Sequence, residues 1–139
     1  MEKKVIVSEK SPAAIGPYSQ AIEYNGIVYT SGVIGVNPAT GEVGETIEEQ
    51  TTQVFENLKG LLADAGSSLD QAIKTTVFIK NMAKKRSFSK SKTRNLPVTS
   101  SGKFFYLKWG GGENINFKYE VYAYKFIVRL CPFIAFPAG

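Results

Sequence analysis

Any proton chemistry in this chain is done without histidine, because its 139 residues contain none. That absence removes the commonest general base, the usual Ser–His triad and most zinc sites. What remains are hydroxyls, carboxylates, and lysine or arginine as partners for an anion. Four places stand out. Tyr18 lies in the turn sequence Gly16-Pro17-Tyr18-Ser19-Gln20-Ala21, and Ser31-Gly32 closes the run Ile27-Val28-Tyr29-Thr30. Glu120 sits in a stretch of alternating polarity, and Arg129-Leu130-Cys131 sits in an apolar run. Each also has a plain structural reading: a half-buried turn aromatic, a turn-forming serine, a solvated strand face, and a snorkelling arginine. No ligand cluster or glycine-rich phosphate loop occurs, which is consistent with chemistry that requires no metal and no organic cofactor.

The elements that must position these residues are legible in the first part of the chain. Lys4 to Val7 reads as a short strand and Gln20 to Tyr24 as a second. Asn25-Gly26 is the strongest two-residue hairpin signal, so Ile27 to Ser31 should return antiparallel. Asn37-Pro38-Ala39-Thr40-Gly41 is a loop of turn formers. From Thr46 to Ala65, Ile47, Thr51, Val54, Leu58, Leu61, Leu62 and Ala65 recur at spacings of three and four, one apolar stripe of a helix. Thr46 with Glu49 matches a capping box, and Gly66 supplies a left-handed stop. Thr75 to Ile79 reads as a buried strand. Beyond Met82, Phe104 to Trp109, a Gly110-Gly111-Gly112 turn and Ile115 to Ala123 read as a hairpin, with apolar residues at the odd positions of the second strand.

Composition sets the outer bounds. The length fits one domain with one core. No apolar run approaches a membrane helix, Met1 to Val5 lacks the hydrophobic region of a signal peptide, and the lone Cys131 fits a reducing cytosol, so a cytoplasmic protein is expected. The net charge of +5 is unevenly spread: −4 up to Met82 and +9 beyond it. Lys84-Lys85-Arg86-Ser87-Phe88-Ser89-Lys90-Ser91-Lys92-Thr93-Arg94 concentrates the positive charge. Such asymmetry ordinarily marks a basic tail for nucleic acid or membrane surfaces; a run with only Phe88 interleaved lacks the stacking platform of a single-strand binder.

Taken together, Gly16-Pro17-Tyr18-Ser19-Gln20-Ala21, Tyr29-Thr30-Ser31-Gly32, Val36-Asn37-Pro38-Ala39-Thr40-Gly41-Glu42 and Lys74-Thr75-Thr76-Val77-Phe78-Ile79-Lys80-Asn81-Met82 resemble the RidA (YjgF/YER057c/UK114) family. The resemblance runs from about Lys4 to Met82 and nearly vanishes after it. It implies an α+β domain of the RidA, chorismate-mutase-like fold: a mixed, mostly antiparallel sheet packed on two helices, the second helix falling where Lys84 to Arg94 stands. It further implies a homotrimer with clefts between subunits. The activity implied is hydrolysis of 2-imino acids or their enamine tautomers, of the 2-aminoacrylate and 2-aminocrotonate type, to 2-keto acids and ammonia. A pyridoxal-phosphate-dependent dehydratase would supply such intermediates.

By the same resemblance Tyr18 closes over the ligand, Ser31 and Gly32 line the pocket, and Val33 replaces a glutamine and shapes it. Two registers compete for the rest. One sets Pro97-Val98-Thr99-Ser100 on the family's arginine-bearing strand and Glu120-Val121-Tyr122-Ala123 on its closing strand, so Glu120 handles the water and Thr99 stands where the cation belongs. The other sets Arg129-Leu130-Cys131 on the arginine motif, recovers the cation, and moves Glu120-Val121-Tyr122-Ala123 onto a helix. Arg129 is then expected within reach of the cleft bounded by Tyr18 and Ser31. Two other functions stay open: an RNA-binding or endoribonuclease-like translation inhibitor using Lys84, Lys85 and Arg86, and a non-catalytic trimer that binds small carboxylates.

Overall fold

The computed structural model describes residues 2–79, 103–108 and 117–124. Among them are β1 (Lys4–Ile6), β2 (Ala21–Tyr24), β3 (Ile27–Thr30), α1 (Ile47–Asp64), β4 (Ala72–Ile79), β5 (Lys103–Lys108) and β6 (Phe117–Tyr124). The strands form one sheet in the order β1-β2-β3-β6-β4-β5. Only β4 and β5 run parallel; every other neighbouring pair is antiparallel. This is the expected α+β arrangement of a mixed, mostly antiparallel sheet with a helix on one face.

Local chemistry explains the first half. Asn25 and Gly26 both have positive φ, 54° and 73°, as a type I′ turn requires, and the β2–β3 ladder closes at Tyr24↔Ile27. At the start of α1 the Thr46 hydroxyl accepts from the Glu49 N–H at 3.2 Å, while the Glu49 carboxylate accepts from the Thr46 N–H at 3.1 Å. At its end Gly66, φ 78°, lets the Ser67 N–H reach the Leu62 carbonyl at 2.7 Å and the Gly66 N–H reach Ala63 at 3.0 Å. That pair of bonds is a Schellman stop.

Every member of the apolar stripe is buried, and Phe55 is buried beside it. The stripe lies over one face of the sheet, against Ile6, Ala21 and Val28. Each large apolar side chain removed from water contributes about 1.5–3 kcal/mol. Two buried polar residues of α1 fasten the loop after β3. Asn57 donates through Nδ2 to the carbonyls of Ile34 and Val36 at 3.0 and 2.8 Å, and Gln50 donates to Gly44 at 2.7 Å. Gly35 permits this contact, since a Cβ there would stand 2.6 Å from the Gln50 carbonyl oxygen.

The second half departs from expectation at one point. β5 and β6 do not pair as a hairpin, because β4 lies between them. The triple glycine reads locally as a tight turn. A strand with Thr75, Thr76, Val77 and Ile79 is suited to a central place with partners on both edges, and β4 takes β5 on one and β6 on the other. The register that moved Glu120 to Ala123 onto a helix is likewise excluded, since all four residues lie in β6. The expected second helix, Thr99 and Arg129 lie outside the described residues.

Candidate functional site

Tyr18 occupies a segment that leaves the sheet after β1 and rejoins it at β2. Its ring is half exposed, and its backbone N–H donates to the Gly16 carbonyl at 2.8 Å. The phenolic oxygen accepts a long 3.4 Å bond from the Ile15 N–H, which leaves its own O–H available to a ligand. A recess of about 540 Å³ opens beside the ring, with Val5, Val7, Ala13, Ala14 and Pro38 among its walls. Ser31 and Gly32 do not line this recess.

Ser31 follows the last residue of β3 and is partly exposed. Its backbone N–H and its Oγ–H both donate to the Gln20 carbonyl, at 2.9 and 3.1 Å. With the hydroxyl proton so engaged, the oxygen faces a ligand as an acceptor. Gly32 is also partly exposed, whereas Val33, expected to shape the pocket, belongs to the core instead. A valine loses more by staying in water than by joining the apolar layer over α1.

Glu120 lies in β6, in register with Thr76 of β4. On its other side β6 pairs with β3 through Ile27↔Tyr124, Val28↔Ala123 and Tyr29↔Tyr122. Alternation puts positions 29, 120 and 122 on the same side of the sheet, the side turned away from α1. Sequence reasoning passed over Gln20, which sits between Tyr18 and Ser31 and is buried. Its only signal was its place in the hexapeptide, because glutamine types alone do not distinguish a buried amide from a solvated one.

Among the described residues two carboxylates are perturbed, Asp64 and Glu49. Hydrogen bonds from Lys10 and then Ser8 hold the Asp64 carboxyl below the usual carboxylate range; the Lys10 ammonium stands 2.7 Å away and the Ser8 hydroxyl 2.6 Å. The backbone N–H groups of Thr46 and Glu45 do the same for Glu49. Among the described residues no three His, Cys, Asp or Glu side chains gather as a metal site, and no helix is long and apolar enough to cross a membrane.

Residues 8–99 match the family model described as Endoribonuclease L-PSP. A chloroplastic protein of Arabidopsis thaliana named Reactive Intermediate Deaminase A is 37% identical over 107 residues, 76% of this chain and 57% of that protein. The chain spans 57–65% of the length of this and two further curated relatives. Among solved structures, a Rid-family protein of unknown function from Yersinia pestis superposes with a TM-score of 0.83 at 36% identity, covering 88% of this chain and 99% of that one. TdcF of E. coli, solved with bound serine, superposes with a TM-score of 0.80 at 27% identity, covering 87% and 98%. The motif around Tyr18, the strand that leads into Ser31, the sheet order and these likenesses agree: the chain belongs to the RidA (YjgF/L-PSP) family.

Proposed function

We propose that this chain hydrolyses 2-imino acids and their enamine tautomers, of the 2-aminoacrylate and 2-aminocrotonate type, to 2-keto acids and ammonia. One observation carries the reading. The β3–β6 ladder ends at Tyr29↔Tyr122, and were its register to continue two residues further, Glu120 would fall opposite Ser31. Directly opposed positions in an antiparallel pair stand about 5 Å apart. The proposal therefore puts a carboxylate-bearing position and a hydroxyl at one end of one face. The name of the Arabidopsis relative and the serine held by TdcF support a small amino-acid-like ligand.

The chemistry assigns each residue a task. The substrate carboxylate needs a cation, best a guanidinium that binds both oxygens. The register that would set Arg129 there is lost with Glu120 in a strand, and the surviving one puts Thr99 at that position. The partner must therefore be another Lys or Arg, or an Arg129 brought in by a different path. The Tyr18 O–H donates to the ligand from one side, and Gly32 lines the cleft beside Ser31. The Ser31 oxygen accepts from the protonated imine nitrogen. Glu120 takes a proton from water as its oxygen bonds to the imine carbon, which gives a carbinolamine. Glu120 returns that proton to the amino nitrogen. The C–N bond then breaks, the hydroxyl proton leaves with the nitrogen as ammonium, and the carbonyl remains. Water and iminium go in, ketone and ammonium come out, and no oxidant is consumed.

The assembly proposed is a homotrimer with the sites in clefts between copies. Its support is the sheet face away from α1, where Val5, Tyr24 and Tyr29 are exposed, an apolar surface suited to burial against a neighbour. Light scattering giving a monomer would remove the trimer. For the reaction, the substrate is generated in situ by a dehydratase acting on serine or threonine, and keto-acid release is followed with and without this protein. The protein should accelerate release, and Glu120→Gln should lower kcat about 100-fold or more. No acceleration, with 2-oxobutyrate still bound, selects the non-catalytic carboxylate-binding reading. RNA affinity that falls steeply with salt and disappears when Lys84, Lys85 and Arg86 are neutralised selects the RNA-binding one.

A further inference from the structure

The densest polar junction in the described residues belongs to a side chain to which the mechanism above gives no task. Gln20 is 6% exposed. Its Nε2 lies 3.0 Å from the Ser8 carbonyl, 3.1 Å from Ser11 and 2.8 Å from Pro12, and its Oε1 accepts from the Ser8 N–H at 2.8 Å. Two amide protons thus serve three carbonyls, one of them shared. The contacts span 8 to 12 residues of chain and draw the segment from Ser8 to Gln20 into a closed loop, the loop that carries Tyr18. The same residue's carbonyl accepts both donors of Ser31.

We infer that Gln20 is a positioning residue: its amide closes the Tyr18 segment while its carbonyl anchors Ser31, so one residue sets the two groups relative to each other. A backbone carbonyl at the start of β2 is fixed by the sheet, which gives Ser31 its reference. Tyr18 lies outside any strand, and its path depends on carbonyls that nothing but an amide at position 20 can serve from both sides. Glutamine suits this task because it donates and accepts at one planar head. Glutamate has the same shape but, when ionised, only accepts. Against three carbonyl oxygens in a buried site its charged form is opposed, which raises its pKa above the usual range. Protonated, it can donate to one carbonyl and still accept from Ser8.

The inference rests on the deaminase reading only for its kinetic consequence, so the test has two readouts. Gln20→Glu and Gln20→Met are compared with wild type by hydrogen exchange of residues 9–19, of Ser31 to Val33 and of α1. In parallel, kcat and KM for the dehydratase-generated imine, and affinity for 2-oxobutyrate, are measured at about pH 5 and about pH 8. At the higher pH, Gln20→Glu should raise exchange in 9–19 and lower kcat/KM or keto-acid affinity, each about tenfold or more. Exchange of α1 should stay at the wild-type level. At the lower pH Gln20→Glu should recover a substantial part of both losses relative to wild type, while Gln20→Met should recover neither. Wild-type exchange of 9–19 in both variants overturns the inference. So does a loosened segment with unchanged kinetics and affinity, or an α1 that loosens in step, which is mere destabilisation. If wild type neither turns over imine nor binds 2-oxobutyrate, the deaminase reading falls. Joint loosening of 9–19 and of Ser31 to Val33 in Gln20→Glu, reversed by acid, then still supports Gln20 as the common anchor, and its absence refutes it.

Discussion

Replacing Ser31 by alanine separates stability from chemistry, because the bond that disappears leaves nothing stranded. The Ser31 hydroxyl donates to the Gln20 carbonyl at 3.1 Å, and that same oxygen keeps the Ser31 N–H at 2.9 Å. No buried acceptor loses its last donor, so the folding cost should stay at or below about 1 kcal/mol, the ordinary net worth of one bond. For a domain near this size that corresponds to a fall in Tm of roughly 2–6 °C. In the proposed reaction the loss is larger. With its proton engaged by Gln20, the hydroxyl offers an oxygen to a protonated imine, and a bond to a charged group is worth about 1.5–3 kcal/mol. The corresponding drop in kcat/KM is about 10- to 150-fold. Calorimetry on the variant alongside keto-acid release from a dehydratase-generated imine measures both sides. A wild-type rate would show that the oxygen never meets the substrate. A rate loss accompanied by a Tm drop well beyond that range would show that Ser31 is structural, and the assignment would be withdrawn.

Three other outcomes follow from local geometry. Tyr18→Phe removes a phenolic donor held only by the long contact from Ile15; kcat/KM should fall several-fold, about 1 kcal/mol, with unchanged circular dichroism, and an unchanged rate would place Tyr18 outside the site. Gly35→Ala forces a methyl to within 2.6 Å of the Gln50 carbonyl oxygen, which is backbone and cannot rotate aside; urea unfolding should show a loss of about 1–3 kcal/mol at constant m, and a neutral result would mean the loop after β3 is not fastened to α1 as described. The Asp64 carboxyl, held low by Lys10 and then Ser8, contributes stability that is fully present above its unfolded value of about 3.9 and lost as pH falls through the folded value. Asp64→Asn should therefore flatten the acid limb of a stability–pH curve below about pH 5, and an identical limb in both proteins would refute that linkage.

How much could be read from residue types alone depended on how local the determining interaction was. The capping box at Thr46 and Glu49, the stop at Gly66 and the turn at Asn25-Gly26 each involve residues within a few positions, and all three stand in the structure as read. The apolar stripe of α1 was legible for the same reason, since a period of 3.6 is a property of the helix itself. Gln50, Asn57 and Gln20 were not legible. Each is buried because distant carbonyls need a donor, and nothing within a few residues of a glutamine announces which carbonyls it will meet. The hairpin expected across Gly110 to Gly112 failed because a turn signal says that the chain reverses, not which strand it returns beside.

The same distinction decides the site. Glu120 and Ser31 are 89 positions apart, and the proposed site depends on the insertion of β6 between β3 and β4, which brings the strand of Glu120 beside the strand that leads into Ser31. Had β6 paired with β5, as the glycine turn implies, the carboxylate would stand at the far side of β4 from the strand that leads into Ser31. The proposed deaminase chemistry therefore depends on the departure from the expected hairpin. The assignment that moved Glu120 onto a helix satisfied the local Arg-x-Cys pattern at the expense of the strand order. A sheet in which the first hairpin receives β6 beside it brings distant parts of the chain together at its centre, and in the proposed site Gln20, just before β2, fixes one side of that junction while β6 carries the other.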